Sequence, residues 1–149
     1  MMFAEFHAGQ TLVAGPASLT EAEIVAYARQ YDPQWFHVDP ARAAASRWGG
    51  LIASGWQTCG VAMRLVVDSV LADSNSFGSP GLEYLKWLAP VRPGDALSVH
   101  MEVLDARRSR SQASLGVLRW RWRVVNQAGV AVLELLATSL FDVSAEAAP

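Results

Sequence analysis

Apolar residues recur along this chain with two periods, helical in its first half and strand-like in its second. Thr20-Glu21-Ala22-Glu23 is a Thr-x-x-Glu capping box, in which a hydroxyl and a carboxylate satisfy backbone amides that a first helical turn leaves without partners. Ile24, Tyr27 and Ala28 follow at helical spacing. Pro33 ends this helix, because the residue before a proline, here Asp32, is pushed out of the α region. A second, short helix is predicted from Asp39 as cap and Pro40 at the first helical position, through Ala41, Ala44 and Ala45 to about Arg47. Residues 32–38 are then a connector held between two helix ends.

After Gly49-Gly50, Ser54-Gly55-Trp56-Gln57 reads as a second capping box. The helix it opens is predicted over about Trp56 to Ala72. Trp56, Cys59, Gly60, Met63, Val67, Val70 and Leu71 form one apolar face, and Val61, Ala62, Leu65 and Val66 make most of the other side apolar too. Only Gln57, Arg64 and Asp68 interrupt it. A helix apolar nearly all round must be surrounded by protein.

The second half supplies the surroundings. Leu82 to Leu88 is apolar and aromatic, and Pro93-Gly94-Asp95 is a turn. Leu97, Val99, Met101 and Val103 alternate with Ser98, His100 and Glu102. Leu118, Trp120, Trp122 and Val124 alternate with Arg119, Arg121 and Arg123, which places the tryptophans inward and the arginines on a solvated face. Asn126 to Gly129 is a hairpin turn leading to a last strand that ends near Val143. Connections this short imply an antiparallel meander. The fold class expected is α+β, an antiparallel β-sheet wrapped around a long central helix: the hot-dog architecture.

Length and composition narrow the picture further. With 149 residues, a single domain over 1–149 is expected, with the tail after about residue 144 frayed. Charged residues are 17% of the chain, against about 25% in a typical soluble protein. So lean a surface suggests burial against another subunit, and a homodimer or dimer of dimers is expected, since pairing edge strands covers free amides. A net charge of −2 argues against a nucleic-acid partner. The most apolar stretch, Cys59 to Ala72, is cut by Arg64 and Asp68 and is too short to cross a membrane. The N-terminus has no basic region, so a cytoplasmic protein is expected. The single cysteine, Cys59, lies on the apolar helix and reads as core.

Two places could carry chemistry. Asp32 and His37 stand five positions apart in an aromatic connector, Tyr31-Asp32-Pro33-Gln34-Trp35-Phe36-His37. A carboxylate and an imidazole that reach one water can position it and move its proton, in surroundings that perturb both groups. The simpler reading of such a pair is a turn residue and a packed loop residue. Ser54-Gly55 opens the apolar helix, where amides lack internal partners and the helix dipole adds positive potential. A thioester oxygen against the Gly55 amide would be stabilised there, and an ordinary cap is again the simpler reading. A metal held by Asp32, His37 and Asp39 is not expected, because Asp39 is better used as a helix cap.

Together the two places form a pattern. The stretch YARQYDPQWFHVDPARAAASRWGGLIASGWQT resembles the MaoC-like dehydratase family, which includes the (R)-specific enoyl-CoA hydratases, and SPGLEYLKWLAPVRPGDAL is similar to that family's following strand and turn. The resemblance implies the hot-dog fold, a dimer, and hydration of a trans-2-enoyl thioester to a 3-hydroxyacyl thioester, or the reverse dehydration. It implies that Asp32 and His37 are the catalytic pair and that the Gly55 amide receives the thioester oxygen. The substrate would be an acyl-CoA or an acyl carrier protein thioester, with no cofactor beyond coenzyme A as part of the substrate. The chain departs from the family pattern at two points. Pro33-Gln34 stands where Asp-x-Asn-Pro is usual, and Gln34 can still offer an amide to orient the pair. Ser54 replaces the usual histidine before Gly55 and can cap the helix there. Two rivals use the same helix end. A hot-dog thioesterase would need a carboxylate at the carbonyl, and Glu23 and Glu83 sit in other contexts. A non-catalytic acyl-thioester-binding subunit would need neither group.

Overall fold

A computed structural model of the chain describes residues 1–144, so the expected fraying of the tail lies outside the described residues. In chain order the elements are β1 (Thr11–Ser18), α1 (Glu21–Tyr31), α2 (Trp35–Val38), α3 (Pro40–Ala44), α4 (Gly55–Val66), β2 (Ser76–Trp87), β3 (Ala96–Arg108), β4 (Leu115–Val125) and β5 (Ala131–Asp142). The strands form one five-stranded sheet in the order β1-β3-β4-β5-β2. Every neighbouring pair is antiparallel. The sheet curls around α4, which is the hot-dog arrangement.

The period-2 pattern of β3 and β4 sets which face meets the helix, while β5 is buried on both faces over much of its length. Val99, Met101, Val103, Leu118, Trp120 and Val124 are buried. Their alternates form the outer face, where Arg121 pairs with Glu102 and Arg119 with Glu83. The buried Trp120 indole donates to Ser139 Oγ at 3.1 Å, so this large core side chain leaves no orphan donor.

Helix α4 continues into one π turn, Val67–Leu71, which together cover the span predicted for the central helix. Its burial differs from expectation. Within the chain only one stripe, through Thr58, Ala62, Val66 and Val70, is buried, while Trp56 and Met63 on the other side are exposed. One layer of sheet can cover one side of a helix, so Trp56 and Met63 are left facing outward, while Cys59, Val61, Leu65 and Leu71 are partly buried against the core.

Three other elements also differ from expectation. β1 is an additional edge strand, paired with β3 alone. Helix α3 stops at Ala44 rather than about Arg47. The connector 32–38 contains the single helical turn α2, whose four residues are too few to leave a periodic signature.

Candidate active site

Helix α1 is opened by the expected capping box: Thr20 Oγ1 accepts from Glu23 N, and a Glu23 carboxylate oxygen accepts from Thr20 N. It ends at Asp32, whose amide donates to Ala28 O. Pro33 then redirects the chain into α2. Helix α3 is capped as expected, with Asp39 Oδ1 accepting from Arg42 N at 3.0 Å. The connector is thus fixed at both ends, and its single turn brings His37 back beside Asp32. His37 Nε2 lies 3.3 Å from Asp32 Oδ2.

Each member of the pair is held by further bonds. Gln34 Nε2 donates to Asp32 Oδ1 at 2.8 Å, and Ser54 Oγ donates to Asp32 Oδ2 at 2.7 Å. Ser54 Oγ also accepts from Trp56 N at 3.3 Å, so one hydroxyl caps α4 and anchors the carboxylate. The capping box expected at Ser54 is therefore incomplete. Gln57 does not reach back to it; its amide donates instead to Glu23 O, tying α4 to α1. On the histidine, Nδ1 lies 2.7 Å from Ile52 O. A carbonyl only accepts, so Nδ1 carries the hydrogen and Nε2 is the nitrogen left to exchange a proton with the site. Phe36 packs edge-on against the imidazole, with ring centroids 4.4 Å apart.

The electrostatics follow from these contacts. Burial pushes the Asp32 carboxyl up, but the hydrogen bonds from Ser54 and Gln34 and the neighbouring His37 outweigh it and hold the group below its ordinary 3.8. Its folded value being below its unfolded one, Asp32 adds stability that is present at neutral pH and lost as pH falls through the folded value.

Asp32, Gln34, His37, Gly55, Trp56 and Trp87 all face one cleft of about 410 Å³. Asp32 is the one carboxylate in its lining. Gly55 is the first residue of α4, and among the described residues its amide has no hydrogen-bond partner. The Trp87 indole lies directly on the Gly55 Cα, where a Cβ would overlap it. The Gly55 amide is expected to receive the thioester oxygen, and the missing side chain at this position also makes room for Trp87. The Ile52 carbonyl and Trp87 went unseen in the sequence, because a backbone acceptor leaves no side-chain mark and Trp87 comes from a strand far along the chain. Cys59 is half-buried on α4, outside the cleft lining but in contact with Trp87, and no group of three or more metal-ligating side chains forms among the described residues. No helix among them is long and apolar enough to cross a membrane.

A carboxylate and a ring nitrogen facing a partnerless helix-end amide across one cleft can hold a water and stabilise a developing oxyanion together. Comparisons with known proteins show the family of the chain as a whole. The family model described as MaoC like domain matches residues 4–119. The uncharacterized protein YdeM of Bacillus subtilis is 31% identical over 134 residues, covering 90% of this chain and 94% of YdeM. The solved structure of a MaoC-like dehydratase from Rhodospirillum rubrum superposes with a TM-score of 0.86 at 34% identity, covering 93% of this chain and 94% of that one. The (R)-hydratase PhaJ1 of Pseudomonas aeruginosa gives a TM-score of 0.75 at 27% identity, covering 94% and 84%.

Proposed function

This chain belongs to the MaoC-like domain family, and we propose on that premise that it hydrates a trans-2-enoyl thioester to the 3-hydroxyacyl thioester, or runs the reverse dehydration. The observation that carries the reading is the 3.3 Å approach of His37 Nε2 to Asp32 Oδ2, in the same cleft as the partnerless Gly55 amide. A water held by Asp32 and His37 adds its oxygen to the β-carbon and gives up one proton to the pair. The thioester oxygen, against the Gly55 amide and the positive end of α4, takes the enolate charge. A proton returned from the pair to the α-carbon completes the addition on the same face. Because His37 Nδ1 is committed to Ile52 O, both transfers on the ring pass through Nε2. The reaction is redox-neutral, and water and substrate supply every atom, so no cofactor is called for beyond the thioester carrier, coenzyme A or acyl carrier protein. A thioesterase would need a carboxylate placed to attack, or to activate water, at the carbonyl rather than at the β-carbon. Glu23 is bound in the α1 capping box and Glu83 pairs with Arg119, so Asp32 alone serves the cleft. The test is crotonyl-CoA, whose conjugation is lost on hydration while its thioester stays intact.

Ser54 gives this reading a pH signature. Its hydroxyl is one of the bonds that lower the Asp32 pKa, so Ser54→Ala raises that pKa. The acid limb of the hydration pH–rate profile is expected to move to higher pH, and loss of the α4 cap to cost about 1 kcal/mol of stability. An acid limb that stays in place would show that Ser54 does not tune Asp32.

We also propose that a second copy of the chain pairs with the free β2 edge. Phe77 is 63% exposed on β2. Edge amides and apolar side chains together are what strand-to-strand pairing would cover. Light scattering at micromolar concentration is expected to give a dimer or dimer of dimers, and Phe77→Glu to shift it toward monomer. A wild-type monomer there would overturn the proposal.

A further inference from the structure

A second cavity, of about 450 Å³, lies between α4 and the sheet. Cys59 and Met63 of α4, Leu82 and Leu85 of β2, Trp122 of β4 and Leu135 of β5 form its walls, and no charged side chain lines it. It is therefore suited to hydrocarbon, whereas the catalytic cleft holds Asp32 and His37. One residue belongs to both linings, Trp56, the second residue of α4 and the neighbour of Gly55. Its indole stands edge-to-face against Trp87, with centroids 5.1 Å apart and planes at 81°. Trp87 in turn rests on the Gly55 Cα. Trp56 is thus the side chain the catalytic cleft and the apolar cavity share, and it packs on Trp87 of the cleft.

We propose that Trp56 sets the acyl length this protein accepts, by standing between the catalytic cleft and the apolar cavity. The inference rests on the enoyl-thioester reading of the cleft. A thioester carbonyl at the Gly55 amide places the β-carbon near Asp32 and His37, and the rest of the acyl chain must then run past Trp56. With the indole in place, short chains fit within the cleft. Longer chains meet the ring before they reach the cavity built to take them. Each methylene that does reach an apolar site is worth about fourfold in binding. An octenoyl chain carries four more methylenes than a crotonyl chain, so opening the passage changes the ratio between them substantially. Trp56 is 59% exposed, so its truncation leaves the buried core intact.

The experiment compares kcat/KM for crotonyl-CoA and trans-2-octenoyl-CoA in the wild type, Trp56→Phe and Trp56→Ala. Reading the ratio within each protein cancels any general loss of activity. The wild type is expected to favour crotonyl-CoA. The octenoyl-to-crotonyl ratio is expected to rise about tenfold or more in Trp56→Ala and less in Trp56→Phe. An unchanged ratio across the three proteins, or a wild type that favours octenoyl-CoA, would overturn the inference while leaving the hydratase reading in place. Calorimetric Kd values for butyryl-CoA and octanoyl-CoA read the same gate without turnover. If the wild type hydrates neither substrate, the proposed function fails, and the Kd ratio still decides on Trp56: a tenfold shift in Trp56→Ala upholds the gate and an unmoved ratio removes it.

Discussion

Asp32→Asn and His37→Ala are each expected to lower kcat/KM for crotonyl-CoA hydration by roughly 10² or more, the scale of general acid–base groups. Asn keeps nearly the shape of Asp and loses the charge with which the carboxylate takes part in the pair's proton transfers. It also loses one of the acceptor oxygens that Ser54 and Gln34 now satisfy at 2.7 and 2.8 Å. Removing the imidazole takes away Nε2, the nitrogen that faces Asp32, and leaves Ile52 O without its donor. His37 is only 5% exposed, so some loss of stability accompanies the truncation. Steady-state kinetics should therefore be paired with the Kd of butyryl-CoA, which both variants are expected to keep within a few-fold. Full turnover in both variants would show that the pair is structural.

The second large effect is expected at Gly55. In Gly55→Ala the new methyl group overlaps the Trp87 indole, so either the ring or the first turn of α4 must shift. A displacement of the helix end moves the amide that receives the thioester oxygen, and a misplacement near 1 Å can cost about 10² in rate. Alanine is the better helix former, so the loss does not come from helix propensity. The double variant Gly55→Ala with Trp87→Ala removes the overlap and is expected to recover part of the activity relative to Gly55→Ala alone. A non-additive gain in this cycle identifies the steric cause. Wild-type rates in Gly55→Ala would show that this amide lies outside the reaction.

Much of the site was legible because its parts coincide with local punctuation. The Thr20–Glu23 box and Pro33 locate the end of α1 and hence Asp32. Asp39-Pro40 locates the next helix and confines His37 to a few residues. Ser54 marks the start of α4, and so singles out the Gly55 amide. What escaped depends on tertiary contact. Ser54 reads as a cap, and only the folded chain brings its hydroxyl to Asp32, 22 positions away. The Ile52 carbonyl that orients His37 has no side-chain signature. β1 escaped because Gly15-Pro16 interrupts it, and a proline argues against a strand unless the strand lies at an edge, as this one does. The apolar circumference of α4 was plain in the sequence, but which side the sheet would cover was not. That distinction is what left Trp56 at the wall of the catalytic cleft.

The most direct measurement of the central claim follows two signals in one reaction of the wild-type protein with crotonyl-CoA: the absorbance of the conjugated enoyl thioester and the appearance of free thiol. The enoyl absorbance is expected to fall with turnover while free thiol stays at background, and the product to be a 3-hydroxybutyryl thioester. Free thiol released in step with substrate loss would make the protein a thioesterase. No change in either signal would contradict catalysis at Asp32 and His37.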